Sequence, residues 1–349
     1  MGTKRSRRPS ARLLLVLINL LSIGALIWTL RDARLSDFKE DLASMDWRWV
    51  VLAVLANLGV YLLYAIRWSL VLRPVLRIGF WQMVRAVFVG LFGNELLPFK
   101  AGEILRTYLL SVRTELPFSV SLASVLIERI FDGMWLCLAL FVTLHTVHFP
   151  HRFQYLVDGE WVLCGTVLGG AVLLAIAMFR RHWQAPPFGA ASGWRRHLNI
   201  LLEDLGLIGH SRYLYLAFLQ TLPPLLLQTI PVWAAFKGYL LDLSILDAFA
   251  LAIILRAIAS LPQAPANIGL FQLLTREVLI RVFGVFPADA SRFSVVLWGV
   301  MTLPLILGGL IAVWVEEADV IELRRAAKHH AAVLRARRHP FHSGLNPKS

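Results

Sequence analysis

Apolar residues are grouped in blocks along the chain, each close to the roughly 20 residues that a helix needs to cross a hydrocarbon core. The polar connections between these blocks are short, and the longest covers residues 180–211. No connection is long enough to form an independent soluble domain. The pattern predicts apolar helices at roughly 13–30, 49–72, 80–98, 119–146, 161–179, 213–236, 244–262 and 292–315, with an amphipathic helix at 268–283.

The composition agrees with a membrane protein. Hydrophobic residues make up 58% of the 349 residues, charged residues 16%, and the mean hydropathy is +0.65, whereas soluble domains carry about 25% charged residues. The net charge of +13 comes from cations at span ends and in the two tails, which membrane orientation explains without nucleic acid. The sequence therefore predicts an all-α polytopic membrane protein that does not bind nucleic acid.

The distribution of Lys and Arg predicts the orientation. The cation-rich segments are 1–12 with five, 67–79 with three, 180–211 with four and the tail after Val315 with seven. By contrast, 147–160 holds one and 284–291 holds none. The positive-inside rule then places both termini in the cytoplasm of a multi-pass protein of the cytoplasmic (inner) membrane, and the run 13–30 is interpreted as an uncleaved signal-anchor.

Eight simple spans do not fit this charge distribution. The connection 67–79 and the basic segment Lys100–Arg113 both have cytoplasmic character, although block 80–98 separates them. We therefore predict that 80–98 enters and returns on the same side, and that 244–283 does so from the outer face. The fold class becomes about six full spans plus two re-entrant broken helices.

Two interrupted helices have similar sequences. The stretch NELLPFKAGEILR contains Pro98-x-x-x-Gly102, and SLPQAPANIGLFQLLTRE contains Pro265-x-x-x-Gly269. Proline removes a helical hydrogen bond, and glycine tolerates most backbone geometries, so both positions favour a break. Paired interrupted helices of opposite entry predict an inverted repeat. The predicted domains are a basic tail at 1–12, one transmembrane domain at 13–315 with pseudo-repeats at about 49–146 and 213–315, and a basic tail at 316–349.

Three charged residues lie inside the apolar block 119–146, in the stretch ERIFD. Glu128 and Asp132 share a helix face at i, i+4, and Arg129 can reach Asp132 at i, i+3. Each such charge costs about 2.5–3.5 kcal/mol at the centre of a membrane helix on insertion scales, so these residues must face the protein interior. They form either a structural ion network or part of a pathway for substrate or protons.

Further polar residues surround the two breaks. Lys100, Glu103 and Arg106 recur every three residues and share one helix face, and the alternative is a capping acid with a basic rim. Around the second break, Arg256, Gln263 and Asn267 suit binding or helix packing equally. The predicted substrate-binding residues are Arg85, Asn94, Lys100, Glu103, Arg106, Glu128, Arg129, Asp132, Arg256, Gln263, Asn267 and Gln272.

Several chemistries lack their motifs. The chain has no GxxxxGK[ST] for ATP, no His or Cys pair with metal spacing and no GxSxG nucleophile elbow. No cofactor and no metal are predicted. The acidic loop DFKEDLASMD, with Glu40 and Asp41, is the best support for an alternative hypothesis, in which the protein is a membrane-embedded transferase.

The motifs NELLPFKAGEILR, ERIFDG and PANIGLFQ resemble the membrane region of lysylphosphatidylglycerol synthases and of stand-alone flippase-like proteins. The resemblance covers roughly 13–315 and implies lipid translocation by paired re-entrant helices. It implies functional roles for Asn94, Pro98, Gly102, Glu103, Arg106, Glu128, Arg129, Asp132, Pro265 and Gly269. The second motif often closes on an acid in the family, and here it closes on Gln272. The soluble aminoacyl-transferase domain is absent, so lipid lysylation is not predicted.

The leading hypothesis is a lipid flippase, not an enzyme. Arg85, Arg106, Arg129 and Arg256 offer sites for an anionic headgroup, and the acids pair with them when the site is empty. Transport is either downhill or proton-coupled. The alternative is a transferase or an accessory subunit in glycolipid or hopanoid biosynthesis. Candidate partners are membrane lipids with anionic headgroups, a second copy of the chain and enzymes of lipid biosynthesis.

Overall fold

The computed structural model describes residues 9–31, 35–97, 101–114, 116–147, 161, 164–170, 172, 211–259 and 264–338, without the side chains of 9–18, 35–36, 258 and 318–338. All regular structure in these ranges is helical. The principal helices are α1 (Pro9–Leu30), α2 (Leu35–Ser44), α3 (Trp47–Leu72), α4 (Phe80–Leu96), α5 (Gly102–Thr114), α6 (Phe118–Thr146), α7 (Arg212–Leu219), α8 (Leu222–Leu227), α9 (Thr229–Gly238), α10 (Ile245–Ile258), α11 (Leu270–Arg281) and α12 (Pro287–Arg338), with a 3₁₀ turn at Pro265–Asn267.

Three helical runs are long and apolar enough to cross a membrane within the described residues. They are α3, the run Arg212–Gly238 that joins α7 to α9, and Pro287–Glu317 in α12. Helix α6, with 29 residues and a length of about 43 Å at 1.5 Å per residue, is also long enough to cross a membrane. It differs from the three runs in that it carries the charged residues of ERIFD. The predicted span at 161–179 lies largely outside the described residues. The protein is thus a multi-pass helical membrane protein.

Helices α3 and α12 run side by side in the same direction. Pro304 in α12 has no N–H, so the carbonyl of Val300 lacks its helical donor. The buried amide of Asn57 donates to Met301 O at 2.9 Å and to Val300 O at 3.5 Å, and the Tyr61 hydroxyl donates to Met301 O at 3.3 Å. The side chains of Asn57 and Tyr61 therefore supply hydrogen bonds to the backbone carbonyl groups near Pro304, inside the bundle.

At one end of the bundle, the start of α3, the end of α9 and the start of α12 meet around α2. Asp46 N–H donates to Gly238 O at 3.0 Å, and Arg292 Nε donates to Asp41 at 2.5 Å. We call this the Asp41 end. At the opposite end, which we call the Glu316 end, Arg113 at the close of α5 pairs with Glu316 at 2.7 Å.

Helices α4 and α5 form a hairpin that starts and finishes at the Glu316 end, since Arg85 near the start of α4 also pairs with Glu316, at 3.6 Å. The two helices pack backbone to backbone: a Cβ on Gly93 would lie 2.9 Å from Gly102 Cα, and a Cβ on Gly102 would overlap the carbonyl oxygen of Gly90. Residues 98–100, which include the predicted break residue Pro98, lie outside the described residues. We call α4 and α5 the first hairpin.

Helices α10 and α11 form the second hairpin, which starts and finishes at the Asp41 end. A capping box of Ser244 and Asp247 begins α10 just after α9. Near the close of α11, Arg276 donates to Ser291 in the first turns of α12, at 3.0 Å. The two hairpins therefore enter the bundle from opposite ends.

Candidate functional site

The ERIFD charges of α6 are bound by an arginine of α3. Arg67 donates through Nε to Glu128 Oε1 at 3.0 Å and through Nη1 to Asp132 Oδ1 at 2.5 Å. Its side chain is only 2% exposed. Because Glu128 and Asp132 are one helical turn apart, a single guanidinium contacts both of them. The predicted contact between Arg129 and Asp132 is also present, at 3.4 Å.

Arg106 of the first hairpin completes the pairing of Glu128. Its Nη2 donates to Glu128 Oε2 at 2.8 Å, and its guanidinium lies 4.5 Å from the centre of the Trp68 ring. Trp68 is fixed in turn, because its Nε1 donates to Ser124 Oγ at 2.8 Å. The carboxylate and the aromatic face compensate the charge of this buried arginine, and its Nε has no hydrogen-bond partner among the described residues.

Arg256 of the second hairpin reaches the same acid cluster. It donates to Tyr64 Oη at 2.5 Å, to Gln228 Oε1 at 2.8 Å and to Asp132 Oδ1 at 3.2 Å. Asp132 therefore pairs with Arg67, Arg129 and Arg256, which come from three different helices. Both hairpins and α3 are connected electrostatically through α6.

Arg129 differs from the other arginines of the network. Half of its side chain is exposed (50%), and its two ion pairs, with Glu103 and Asp132, are both 3.4 Å long. These distances exceed the 2.7–2.9 Å of a strong charge-assisted hydrogen bond. Arg129 is thus accessible and loosely held, whereas Arg67 and Arg106 are buried with close partners.

The ends of the two hairpins touch each other inside the bundle. The amide of Asn267 donates to both carboxylate oxygens of Glu95, at 3.0 and 2.9 Å. Asn267 and Ala266 both have positive φ, 54° and 55°, a region that favours Asn and Gly over other residues. Trp298 Nε1 donates to Ala266 O at 2.8 Å and supports this strained turn.

A cavity of about 370 Å³ lies between these elements. Its charged wall includes Arg67, Arg106, Arg129, Arg256, Glu95, Glu103 and Asp132. Its apolar wall comes from several helices, with Val60, Leu91, Leu136, Phe271 and Leu305 among its residues. A cavity with this division suits an amphipathic ligand.

The structure brings most of the predicted site residues together at this cavity. Asn94, Glu103, Arg106, Arg129, Asp132, Arg256 and Asn267 line it, and Glu128 lies directly behind it through Arg67 and Arg106. Lys100 and Gln263 lie outside the described residues.

Two further residues predicted to bind substrate, Arg85 and Gln272, lie away from this cavity. Arg85 faces Glu316 near the base of the first hairpin. Gln272 is 3% exposed, and its side-chain oxygen accepts from Gly269 N–H at 2.7 Å, so it caps α11. Neither is among the described residues that line the cavity. Sequence spacing identified their helices but not the faces on which they lie.

Sequence reasoning also missed members of the network. Arg67 was counted with the cytoplasmic connection 67–79, and this was wrong, because α3 continues to Leu72 and buries Arg67. Its position inside the apolar block 49–72 was the available signal. Tyr64 and Gln228, which bind Arg256, were not considered.

The acidic segment proposed for a transferase is mostly helical and not a loop, because it lies in α2, and it forms a different cluster. Asp41 accepts hydrogen bonds from Arg292 and from the Tyr239 hydroxyl, and Arg292 also pairs with Asp289 at 2.6 Å. Burial and the hydrogen bond to Asp41 raise the pKa of the Tyr239 hydroxyl, so it stays protonated as the donor. Asp41 thus joins α2 to the start of α12.

Fold and cavity together define a multi-pass helical membrane protein with an arginine-lined internal cavity between two broken-helix hairpins. The chain belongs to the family described as lysylphosphatidylglycerol synthase TM region, which it matches over residues 12–309. The family predicted from the motifs is therefore confirmed, and the protein belongs to a lipid-related membrane family. No curated protein and no solved structure matches the chain.

Proposed function

We propose that this protein moves a lipid with an anionic headgroup across the cytoplasmic membrane. The main support for the proposal is the exposure and weak pairing of Arg129. This arginine lies on the cavity wall, its side chain is half exposed, and both of its ion pairs are long. A headgroup phosphate can replace Glu103 at this guanidinium with shorter, bidentate hydrogen bonds.

The rest of the network supports such a site without needing to move. Arg67, Arg106 and Arg256 keep their carboxylate and tyrosine partners, so the charged wall stays organised when a ligand arrives. The apolar wall accepts the glycerol and the first methylenes of the lipid, and the acyl chains remain in the bilayer. The charged wall compensates for the cost of bringing a phosphate to membrane depth.

The arrangement of the hairpins supports their proposed role as re-entrant elements. Each hairpin begins and finishes at one end of the bundle, and their inner ends meet at Glu95 and Asn267. By the positive-inside rule the Glu316 end is cytoplasmic, with both termini inside. Separation of the two inner ends would open the cavity to one side, as in inverted-repeat transporters.

The test is translocation of fluorescent anionic phospholipids in liposomes that contain the purified protein. We expect Arg129→Gln to lower the rate about tenfold or more, because it removes charge-assisted hydrogen bonds worth about 1.5–3 kcal/mol, and Arg129→Lys to lower it less. Arg281→Gln is the matched control, since Arg281 has similar exposure (44%) and also pairs with a glutamate, Glu277. Equal rates for Arg129→Gln and Arg281→Gln would refute the proposal.

A further inference from the structure

The four acids near the cavity are held very differently. Asp132 pairs with three arginines, and Glu128 pairs with Arg67 and Arg106 at 3.0 Å or less. Glu95 accepts two hydrogen bonds from Asn267. Of these four acids, Glu103 is the one for which the described residues provide only a single ion pair, the 3.4 Å contact with Arg129.

A headgroup at Arg129 competes directly with Glu103. Once the phosphate occupies the guanidinium, Glu103 loses its partner and faces a second negative charge across the cavity. An ionised carboxylate without a partner is costly at membrane depth, and a neighbouring anion disfavours it further. The neutral carboxylic acid avoids this cost and can also donate a hydrogen bond to the phosphate.

We propose that Glu103 takes up one proton from solution when an anionic headgroup binds, and releases it when the headgroup leaves. The proposal rests on the proposed function and names the coupling ion of that site. The proton moves from water to a Glu103 carboxylate oxygen, and Glu103 is partly exposed (21%), so water can reach it. The lipid and the proton would then share one binding event.

The charges around Glu103 favour this residue over its neighbours. Glu103 contacts Arg129 of α6. The other charged or titratable residues of the same cavity wall are Tyr61, Tyr64 and Arg67 of α3, Glu95 of α4, Arg106 of α5, Asp132 of α6 and Arg256 of α10. Arg106 and Arg256 are engaged by Glu128 and by Asp132, Tyr64 and Gln228. These arginines stay with their own partners, so the displaced Glu103 carboxylate gains no new cation from them.

Thermodynamic linkage fixes the sign of the pH dependence. If binding adds a proton to Glu103, headgroup affinity rises as the pH falls, and lipid and proton strengthen each other's binding equally. The dissociation constant would change by up to about tenfold per pH unit when one full proton is taken up. Wild-type protein with pH-independent affinity would contradict this.

The experiment measures proton uptake by the purified protein in a weakly buffered, indicator-containing solution as short-chain phosphatidylglycerol is added. Its phosphodiester does not titrate in the neutral to mildly acidic range, so the signal comes from the protein. We expect wild type to take up protons in proportion to lipid bound, Glu103→Asp to retain uptake, and Glu103→Gln to bind lipid without uptake at a pH-independent affinity.

Glu277→Gln is the matched control, because Glu277 has similar exposure (23%) and pairs with arginines away from the cavity. It should keep the wild-type uptake. Lipid binding by wild type without proton uptake overturns this inference and leaves the flippase proposal standing, as does uptake that persists in Glu103→Gln. Absence of both lipid binding and translocation in wild type overturns both proposals.

Discussion

The two hairpins share a sequence pattern of helix, Pro-x-x-x-Gly and helix, but they are held in different ways. In the first hairpin, α4 and α5 pack on each other through the glycine positions 90, 93 and 102. In the second, α11 packs mainly against α12 and α1, and Gly269 touches the backbone of Ser22 in α1. Helix α4 also packs against α12, but only in the first hairpin do the two helices pack closely on each other.

The two hairpins also contribute different polar side chains to the cavity. The first hairpin supplies Glu95, Glu103 and Arg106 to the charged wall, whereas the second supplies Arg256 and Asn267. In the proposed function, the first hairpin thus contributes Glu103, the acid that would compete with a headgroup for Arg129. The inner end of the second hairpin is held by the contact of Asn267 with Glu95 and by the turn at Ala266, which has a positive φ.

The largest effect is expected for Gly102→Ala, which breaks the self-packing of the first hairpin. The new Cβ would overlap the Gly90 carbonyl and the Asn94 amide, and backbone atoms cannot rotate away. We expect a loss of about 3 kcal/mol or more of stability, measured by thermal unfolding in detergent. Gly24→Ala in α1, where a Cβ meets open space, should stay within about 0.5 kcal/mol of wild type. Wild-type stability of Gly102→Ala would show that α4 and α5 are not in close contact.

A smaller effect is expected where the two hairpins touch. Asn267→Gly removes the two hydrogen bonds to Glu95 and should cost about 2 kcal/mol, since bonds to charged groups contribute about 1.5–3 kcal/mol. Asn267→Ala should be less stable still by about 1 kcal/mol, because a Cβ disfavours φ of 54°. Thermal unfolding measures both.

The comparison of the two Asn267 variants separates side chain from backbone. Equal stability of the Gly and Ala variants would show that the positive φ is not retained in the folded protein. A Gly variant as stable as wild type would mean that the contact with Glu95 does not hold the inner ends together.

Much of this architecture could be predicted from the sequence, because membrane helices follow from length, apolarity and charge distribution. The helix breaks near Pro98 and Pro265 and the interior position of Glu128 and Asp132 follow from local rules about proline and the cost of buried charge. These rules need only neighbouring residues. They therefore predict that the charged residues of α6 lie in the protein interior, but they do not predict which residues pair with them.

The partners could not be predicted, because they depend on which helix faces which. Arg67 binds two acids that lie 61 and 65 residues further along the chain, and no local pattern indicates that pairing. Arg85 illustrates the converse: it has the charge expected of a headgroup ligand, but it pairs with Glu316 near the base of the first hairpin. Likewise, the sequence does not show why α4 contains Gly90 and Gly93, because their role is to allow the close packing of α5.

The smallest effect is expected at Gln272, where the second hairpin departs from the acid often found in the family. Its side-chain oxygen caps the N–H of Gly269, and Glu makes the same contact in a capping box while also favouring the helix dipole. These contacts offset part of the cost of burying a carboxylate at a position that is 3% exposed, so Gln272→Glu should lower stability by about 1 kcal/mol or less and leave translocation unchanged. Gln272→Ala should cost about 1–3 kcal/mol, because a buried N–H loses its acceptor. Thermal unfolding and the liposome assay measure the two effects separately.

A change in lipid transport by Gln272→Glu at unaltered stability would place position 272 on the lipid path, and the two hairpins would then resemble each other in chemistry as well as in sequence.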